Sequence, residues 1–208
     1  MAKQDRAVRT RTALIESAAA LFDREGYELA SLSTISARAG VSSGALHFHF
    51  TSKAALADAV GQSAAQRLQG ITEDRADDAL QTLIDVTHAL VRALDHDVVL
   101  RAGFGLSDSL EHVRVGAGLR GKWQGWVEDS LVRAGREGAL APESLAQDAA
   151  TAVVAVTAGL ETLGRQDEWW LSHAPLTRFW QLILPRLAAP SRLDALVASG
   201  SKAGAPRV

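Results

Sequence analysis

Residues Ser31 to Lys53 read SLSTISARAGVSSGALHFHFTSK, two short helix-sized runs on either side of a glycine. Leu32, Ile35 and Ala39 recur at helical spacing behind a serine N-cap, Ser31 or Ser33. Gly40 follows as the residue able to turn left-handed where a helix stops. Val41 reads as a buried turn residue, and Ser42 can cap a second run, Ser43 to His49. That run is too short to stand as a helix by itself and needs a surface beneath it.

Two helices joined by a tight glycine turn make a helix-turn-helix, whose second helix enters the DNA major groove with its N-terminal residues at the base edges. Ser42, Ser43 and Gly44 are small enough to bring backbone close to DNA, and helix N-terminal amides favour phosphate. Ser52 and Lys53 open another helix, placing a cap and a cation where a flanking phosphate can sit. The competing reading is a helical hairpin buried inside an all-helical carrier or enzyme. Against it stand His47, His49 and Lys53, polar groups that a buried hairpin would have to pair.

Gly26-Tyr27, Ile35, Ala39 to Ser42, Gly44-Ala45-Leu46, His49-Phe50 and Ser52-Lys53 resemble the signature of the TetR family of one-component transcriptional regulators. The match is dense over residues 8 to 60. The resemblance implies a DNA-binding head with Ser33, Ser42, Ser43, Gly44, His47, His49 and Lys53 at the operator. Two positions depart from the family pattern: His47 stands where a phosphate-anchoring Tyr is usual, and Ser43 where a base-reading Lys or Arg is common. Both departures bear on the strength and choice of operator.

At 208 residues the chain has room for one large or two small domains with a sizeable core. It has no cysteine, which excludes disulfides, thiolate metal sites and cysteine nucleophiles. The charged start, Met1 to Arg11, is no signal segment, and the weakly polar run Ala149 to Leu160 is too short to cross a bilayer, so a cytoplasmic protein without a membrane partner is expected. The formal charge is −2, unevenly spread: residues 1–53 carry seven Lys/Arg against five Asp/Glu, the remainder fifteen against nineteen. The imbalance points the N-terminal part at DNA.

Helical spacing continues on both sides. Val8 to Glu25 is amphipathic and ends at Gly26, covering the hairpin's apolar back; the basic residues Lys3, Arg6, Arg9 and Arg11 precede or open it, as a DNA-touching arm or a solvated terminus. A fourth helix runs from Ser52 to about Gly70. Beyond it the spacing predicts Ala79 to Leu94, Val98 to Leu110, a break through Gly116-Ala117-Gly118, then Trp123 to Ala134. A turn at Gly135, Gly138 and Pro142 leads into a long helix reaching Leu163. Pro175 opens the last main helix, Leu176 to Leu184, and Pro185 closes it. The expected organisation is all-α: a helix-turn-helix head over residues 1–52, a helical ligand-binding and dimerisation body over 53–198, and a disordered tail from Ser199.

Residues Ala149 to Leu163 are apolar and small around most of the helix, which predicts burial. With Phe179, Trp180, Leu182 and Ile183 they could form a four-helix interface with a twofold copy, or simply a monomer core. The resemblance implies the homodimer, and two heads reading half-sites give it an independent rationale. It also implies that the fourth helix, shared by head and body, tilts to re-aim the recognition helices.

Trp123 and Trp126 lie three apart on one helical face, either walling a pocket or packing in a core. Leu100 to Gly103, Trp126 and Phe179 to Pro185 are similar to the γ-butyrolactone-receptor branch of the family, regulators of antibiotic production and development in filamentous actinobacteria. In that branch the equivalent of Trp126 lines the signal pocket. Trp123, Trp126, Phe104 and Val156 are therefore the candidate contacts for a small, mostly apolar signal. The branch's prolines before this tryptophan are replaced by Gly121-Lys122, so a butyrolactone and an antibiotic both stay open as ligands. No enzyme motif appears: the histidines are scattered, no zinc or phosphate-loop pattern is present, and no cofactor or metal is implied.

Overall fold

Leu14, Ala18, Leu21 and Phe22 fall on one side of a 3.6-residue period, and all four bury in α1, Ala2–Glu25. The computed structural model describes residues 2–73, 78–106, 116–142 and 146–201. After α1 come α2 (Leu32–Arg38), α3 (Ser43–His49), α4 (Lys53–Thr72), α5 (Ala79–His96) and α6 (Val98–Leu106). Then follow α7 (Gly116–Arg136), α8 (Ala146–Gly164), a 3-10 turn (Glu168–Leu171), α9 (His173–Leu187) and α10 (Pro190–Leu193). The fold is all-α, as expected; among the described residues the one isolated β-bridge pairs Leu140 with Ala188. No helix of the described residues is long and apolar enough to cross a membrane.

Two compact units emerge. The first holds residues 1–67 and 97–120. Here α6 packs along α1, and Arg101 donates to the Asp23 carboxylate at 3.1 Å with both side chains largely covered. Asp97 caps α6 by accepting from the amides of Val99 and Leu100, 3.0 Å each, and it also pairs with Arg67 of α4. Gly103 lets α6 approach α4 so closely that a Cβ would overlap that of Ala64. The helix-turn-helix thus shares its unit with a helix that the sequence reading assigned to the body.

The second unit holds residues 68–96 and 121–208, with α5 contacting α8, α9 and the 3-10 turn. Two buried tryptophans are tied alike: Trp180 donates to the Thr87 hydroxyl at 2.9 Å, and Trp123 to the Thr157 hydroxyl at 3.0 Å. Each threonine in turn donates to a carbonyl of its own helix, so no indole N–H is left unpaired inside. Asp78 caps α5 and pairs with Arg192 at 2.5 Å.

Three boundaries differ from expectation, and one falls at the edge of the described residues. The basic residues before Val8 are already helical in α1, where the Arg9 side chain reaches the Asp5 carbonyl at 3.3 Å. Gly116 to Gly118 form the first turn of α7 instead of a break, a position where backbone N–H groups lack intrahelical partners anyway. Pro185 sits inside α9, whose last turn closes through the Ala188 amide on the Leu184 carbonyl. The predicted helix over Val98 to Leu110 is described only as far as Leu106.

Of the tail expected to be disordered from Ser199, residues Ser199 to Ser201 are held, together with Val197 and Ala198 before them, by side chains of α5 and by His173. Val197 exchanges hydrogen bonds with the Gln81 side chain, and the Ser201 amide and hydroxyl both reach Asp85, at 2.6 and 2.5 Å. The rings of His88 and His173 stack at 4.6 Å and meet the carbonyls of Ala198 and Ser199 at 3.0 and 2.6 Å. Residues 202–208 lie outside the described residues.

Burial lowers the pKa of His88 below its ordinary 6.5; His173 and Arg92 push the same way, while the Ala198 contact and Asp85 oppose. The unfolded chain therefore takes up this proton at a higher pH than the folded one. The associated stability is whole above pH ~6.5 and is lost as pH falls from there through the folded value. Melting temperatures at pH 7.5 and 5.5 should differ more for the wild type than for His88→Gln. Separately, Gly103→Ala should destabilise by about 1–3 kcal/mol in a urea titration, because the added methyl has nowhere to go.

Candidate nucleic-acid interface

The turn between α2 and α3 is fixed by backbone chemistry. Ser31 is the N-cap of α2, its hydroxyl accepting from the Thr34 amide at 3.1 Å, while Ser33 is exposed and hydrogen-bonds the Ser31 hydroxyl at 2.9 Å. At the other end the Gly40 amide donates to Ala37 and the Val41 amide to Ser36, at 3.1 and 3.0 Å. This paired 5→2 and 6→1 pattern is a Schellman close, and Gly40 takes it at φ +67°. Ser42 then caps α3, accepting from the Ala45 amide at 3.2 Å.

On α3, Leu46 is buried, as is Phe50 just beyond it, and the helix rests on these two. Ser43, Gly44, His47 and Phe48 are exposed together along one side. Gly44 is informative because nothing inside the molecule requires it. Its φ is not positive, and a Cβ there would meet only the Ser42 hydroxyl, at 3.9 Å. A helical glycine costs about 1 kcal/mol relative to alanine. The missing side chain therefore leaves room for something outside.

Two other head candidates, His49 and Lys53, lie elsewhere. His49 is half-buried, edge-on to Phe48 with centroids 5.3 Å apart, and sits about 200° around the helix from His47. Lys53 is held by the loop after α1: its ammonium donates to the Glu28 carbonyl at 3.0 Å and lies 4.3 Å from the centre of the Tyr27 ring. An ammonium has three donors, so its position is set while part of its bonding capacity stays available. Arg11 of α1 lies over the Phe50 ring at 5.3 Å, a further positioned cation in the same unit. Sequence reasoning passed over Phe48, which is 82% exposed; its place one residue beyond His47 was the available signal.

The signal-side candidates separate. Trp123 is core, its indole N–H occupied by Thr157. Trp126 stacks on it at 5.4 Å and is only half-buried, lining a cleft of about 300 Å3 with Thr82, Asp129, Ser130, Arg133 and Arg136. Asp129, Ser130 and Arg133 stand three, four and seven residues after Trp126, a spacing that could have revealed them. Val156 is half-buried on α8. Phe104 belongs to the first unit, buried beneath the Arg120 guanidinium at 5.5 Å.

Residues 14–60 match the bacterial regulatory proteins of the tetR family. The A-factor receptor protein of Streptomyces griseus is 33% identical over 194 residues, covering 91% of this chain and 68% of that one. The chain belongs to the TetR family. Among solved structures, a gamma-butyrolactone receptor (ArpA-like protein) superposes with a TM-score of 0.80 at 29% identity, covering 93% of this chain and 96% of the other. CprB from Streptomyces coelicolor, in complex with its biological operator sequence, gives 0.77 at 29% identity, with 91% and 94% covered. The TetR-family chain is thus a DNA-binding transcriptional regulator related to γ-butyrolactone receptors, and not an enzyme.

The open space at Gly44 lets stability and DNA binding be tested apart in this TetR head. Gly44→Ala should raise stability by about 0.5–1 kcal/mol in a denaturant titration while weakening DNA binding. A variant that is more stable and binds equally well would show that the space above Gly44 is not used.

Proposed function

We propose that the protein is a repressor that binds a palindromic operator as a homodimer and is released by a small, mostly apolar signal, γ-butyrolactone-like or an antibiotic, in the control of secondary metabolism. The observation that carries this reading is the outward side of α3, exposed and with a gap at Gly44, on a helix whose inner side is anchored by Leu46. Ser42, Ser43, Gly44 and His47 face the bases in this account, with Ser33, His49 and Lys53 at its margins. The operator-bound relative supports the same use of the head.

Support for the homodimer comes from α8 and α9. Ala149, Ala152, Leu182, Ile183 and Leu187, with Asp148 and Arg186, line an open, mostly apolar groove of about 480 Å3, and Leu182 is 77% exposed. The face of α8 opposite the buried Ala150, Val153, Thr157 and Leu160 carries small residues outward, so the all-round burial expected of this helix is met on one side only. A second copy would cover the other. For the signal, the half-buried Trp126 in its cleft is the supporting feature. The chain passes between the two units within α4 and within α7, helices that can carry a ligand-dependent change to the head. Ligand and operator would then weaken one another by the same factor.

A mobility shift on DNA upstream of the protein's own gene is the direct test. Binding should be sequence-selective and fall steeply with salt. Leu182→Glu should yield monomers in light scattering and lose at least tenfold in operator affinity while keeping its helical circular dichroism. No selective binding at low salt would overturn the repressor reading, and a dimeric Leu182→Glu would overturn the interface.

A further inference from the structure

We infer that Phe48 is a base-reading residue, recognising a thymine in each half-site through its C5-methyl group; this rests on the operator reading above. Three observations converge on it. The ring is 82% exposed although burying a phenylalanine is worth about 1.5–3 kcal/mol, so the fold leaves unspent an apolar surface that a partner can cover. It projects from the same side of α3 as Gly44, four residues earlier, where the absent side chain has no internal cause. And the ring is not loose: His49 stands edge-on to it at 5.3 Å and 85°, which limits its rotamers before DNA arrives.

The composition of α3 completes the argument. Its sequence, SGALHFH, contains no lysine, arginine, asparagine or glutamine, the side chains that make bidentate contacts to guanine and adenine in the major groove. What its outward side offers instead is a serine hydroxyl, a gap at Gly44, an imidazole and a phenyl ring. A phenyl ring has one partner in the major groove suited to it, the methyl of thymine, since the other base edges there present hydrogen-bond donors and acceptors. The gap at Gly44 lowers the helix axis toward the bases, and the ring one turn later gains the reach to pack on that methyl. The cations fixed beside it, Arg11 and Lys53, come from other helices and are suited to phosphates, which position the head without reading sequence.

The test removes the methyl from the DNA instead of a side chain from the protein. The full-length chain first selects its preferred duplex from a random-sequence library at low salt. Each thymine of the selected site is then replaced by deoxyuridine, and affinities are measured for wild type, Phe48→Ala and Phe48→Leu. One symmetry-related thymine pair should cost the wild type about fourfold per methyl removed, the value expected for one buried CH2-sized group. Phe48→Ala should be insensitive at that pair and unchanged at the others, and Phe48→Leu should keep part of the sensitivity. A selected site whose uridine scan is flat, or one where Phe48→Ala shows the same fourfold loss as wild type, overturns the inference and leaves the operator reading standing. Failure to select any sequence overturns both.

Discussion

A helix of seven residues does not hold its shape in water, because nucleation costs more than so few hydrogen bonds return. Every feature around α3 answers that constraint. Leu46 and Phe50 give it an apolar underside, Ser42 closes its first turn, and the left-handed Gly40 fixes the direction from which the chain enters. Because stability comes from below and from the ends, the upper side is released from any structural duty. It can therefore carry residues that are poor for folding, a helical glycine and a bare phenyl ring, whose cost the underside absorbs.

The same division between a face that folds and a face that is left over recurs in the second unit. Thr87 and Thr157 are poor helix residues by intrinsic preference, yet each sits where a tryptophan N–H must be satisfied, and each bonds back to its own helix. These two links specify how α9 meets α5 and how α7 meets α8. The small residues outward on α8 and the exposed Leu182 on α9 form a mostly apolar groove that Asp148 and Arg186 also line, the surface on which the proposed symmetric copy would sit.

Most of this architecture was legible because the deciding signals are local. Gly40 after Ala39, Ser42 before Ala45 and the apolar period from Leu14 to Phe22 act through backbone geometry and helical spacing, which one sequence displays in full. What was hidden depends on contacts far apart in the chain. That α6 joins α1 follows from Arg101 reaching Asp23, 78 residues away, and that the tail is held follows from Asp85 and Ser201, 116 apart. Gly116 to Gly118 misled because composition says loop, whereas a helix start tolerates glycine. At the site, Ser43, Gly44 and His47 share the exposed side, while Lys53 is engaged with Tyr27 and Glu28 in a way no motif announces.

The placement of charge separates two tasks that a DNA-binding protein must perform. The chain as a whole carries a formal −2, so it gains little from non-specific attraction to a polyanion, and α3 holds no Lys or Arg to change that. Two of its positive groups are held in the head instead, Arg11 of α1 over the Phe50 ring and Lys53 at the start of α4 on the Tyr27 ring and the Glu28 carbonyl. Cations positioned in this way are suited to phosphates, whose contacts carry the salt-sensitive share of a DNA complex's affinity. In the reading proposed above, the outward side of α3, which carries no Lys or Arg, contributes through fit: how close Gly44 lets the helix come, and what the phenyl and imidazole touch. In a head organised in this manner, losing such a cation weakens binding to all DNA alike, while altering the reading side changes which DNA is bound.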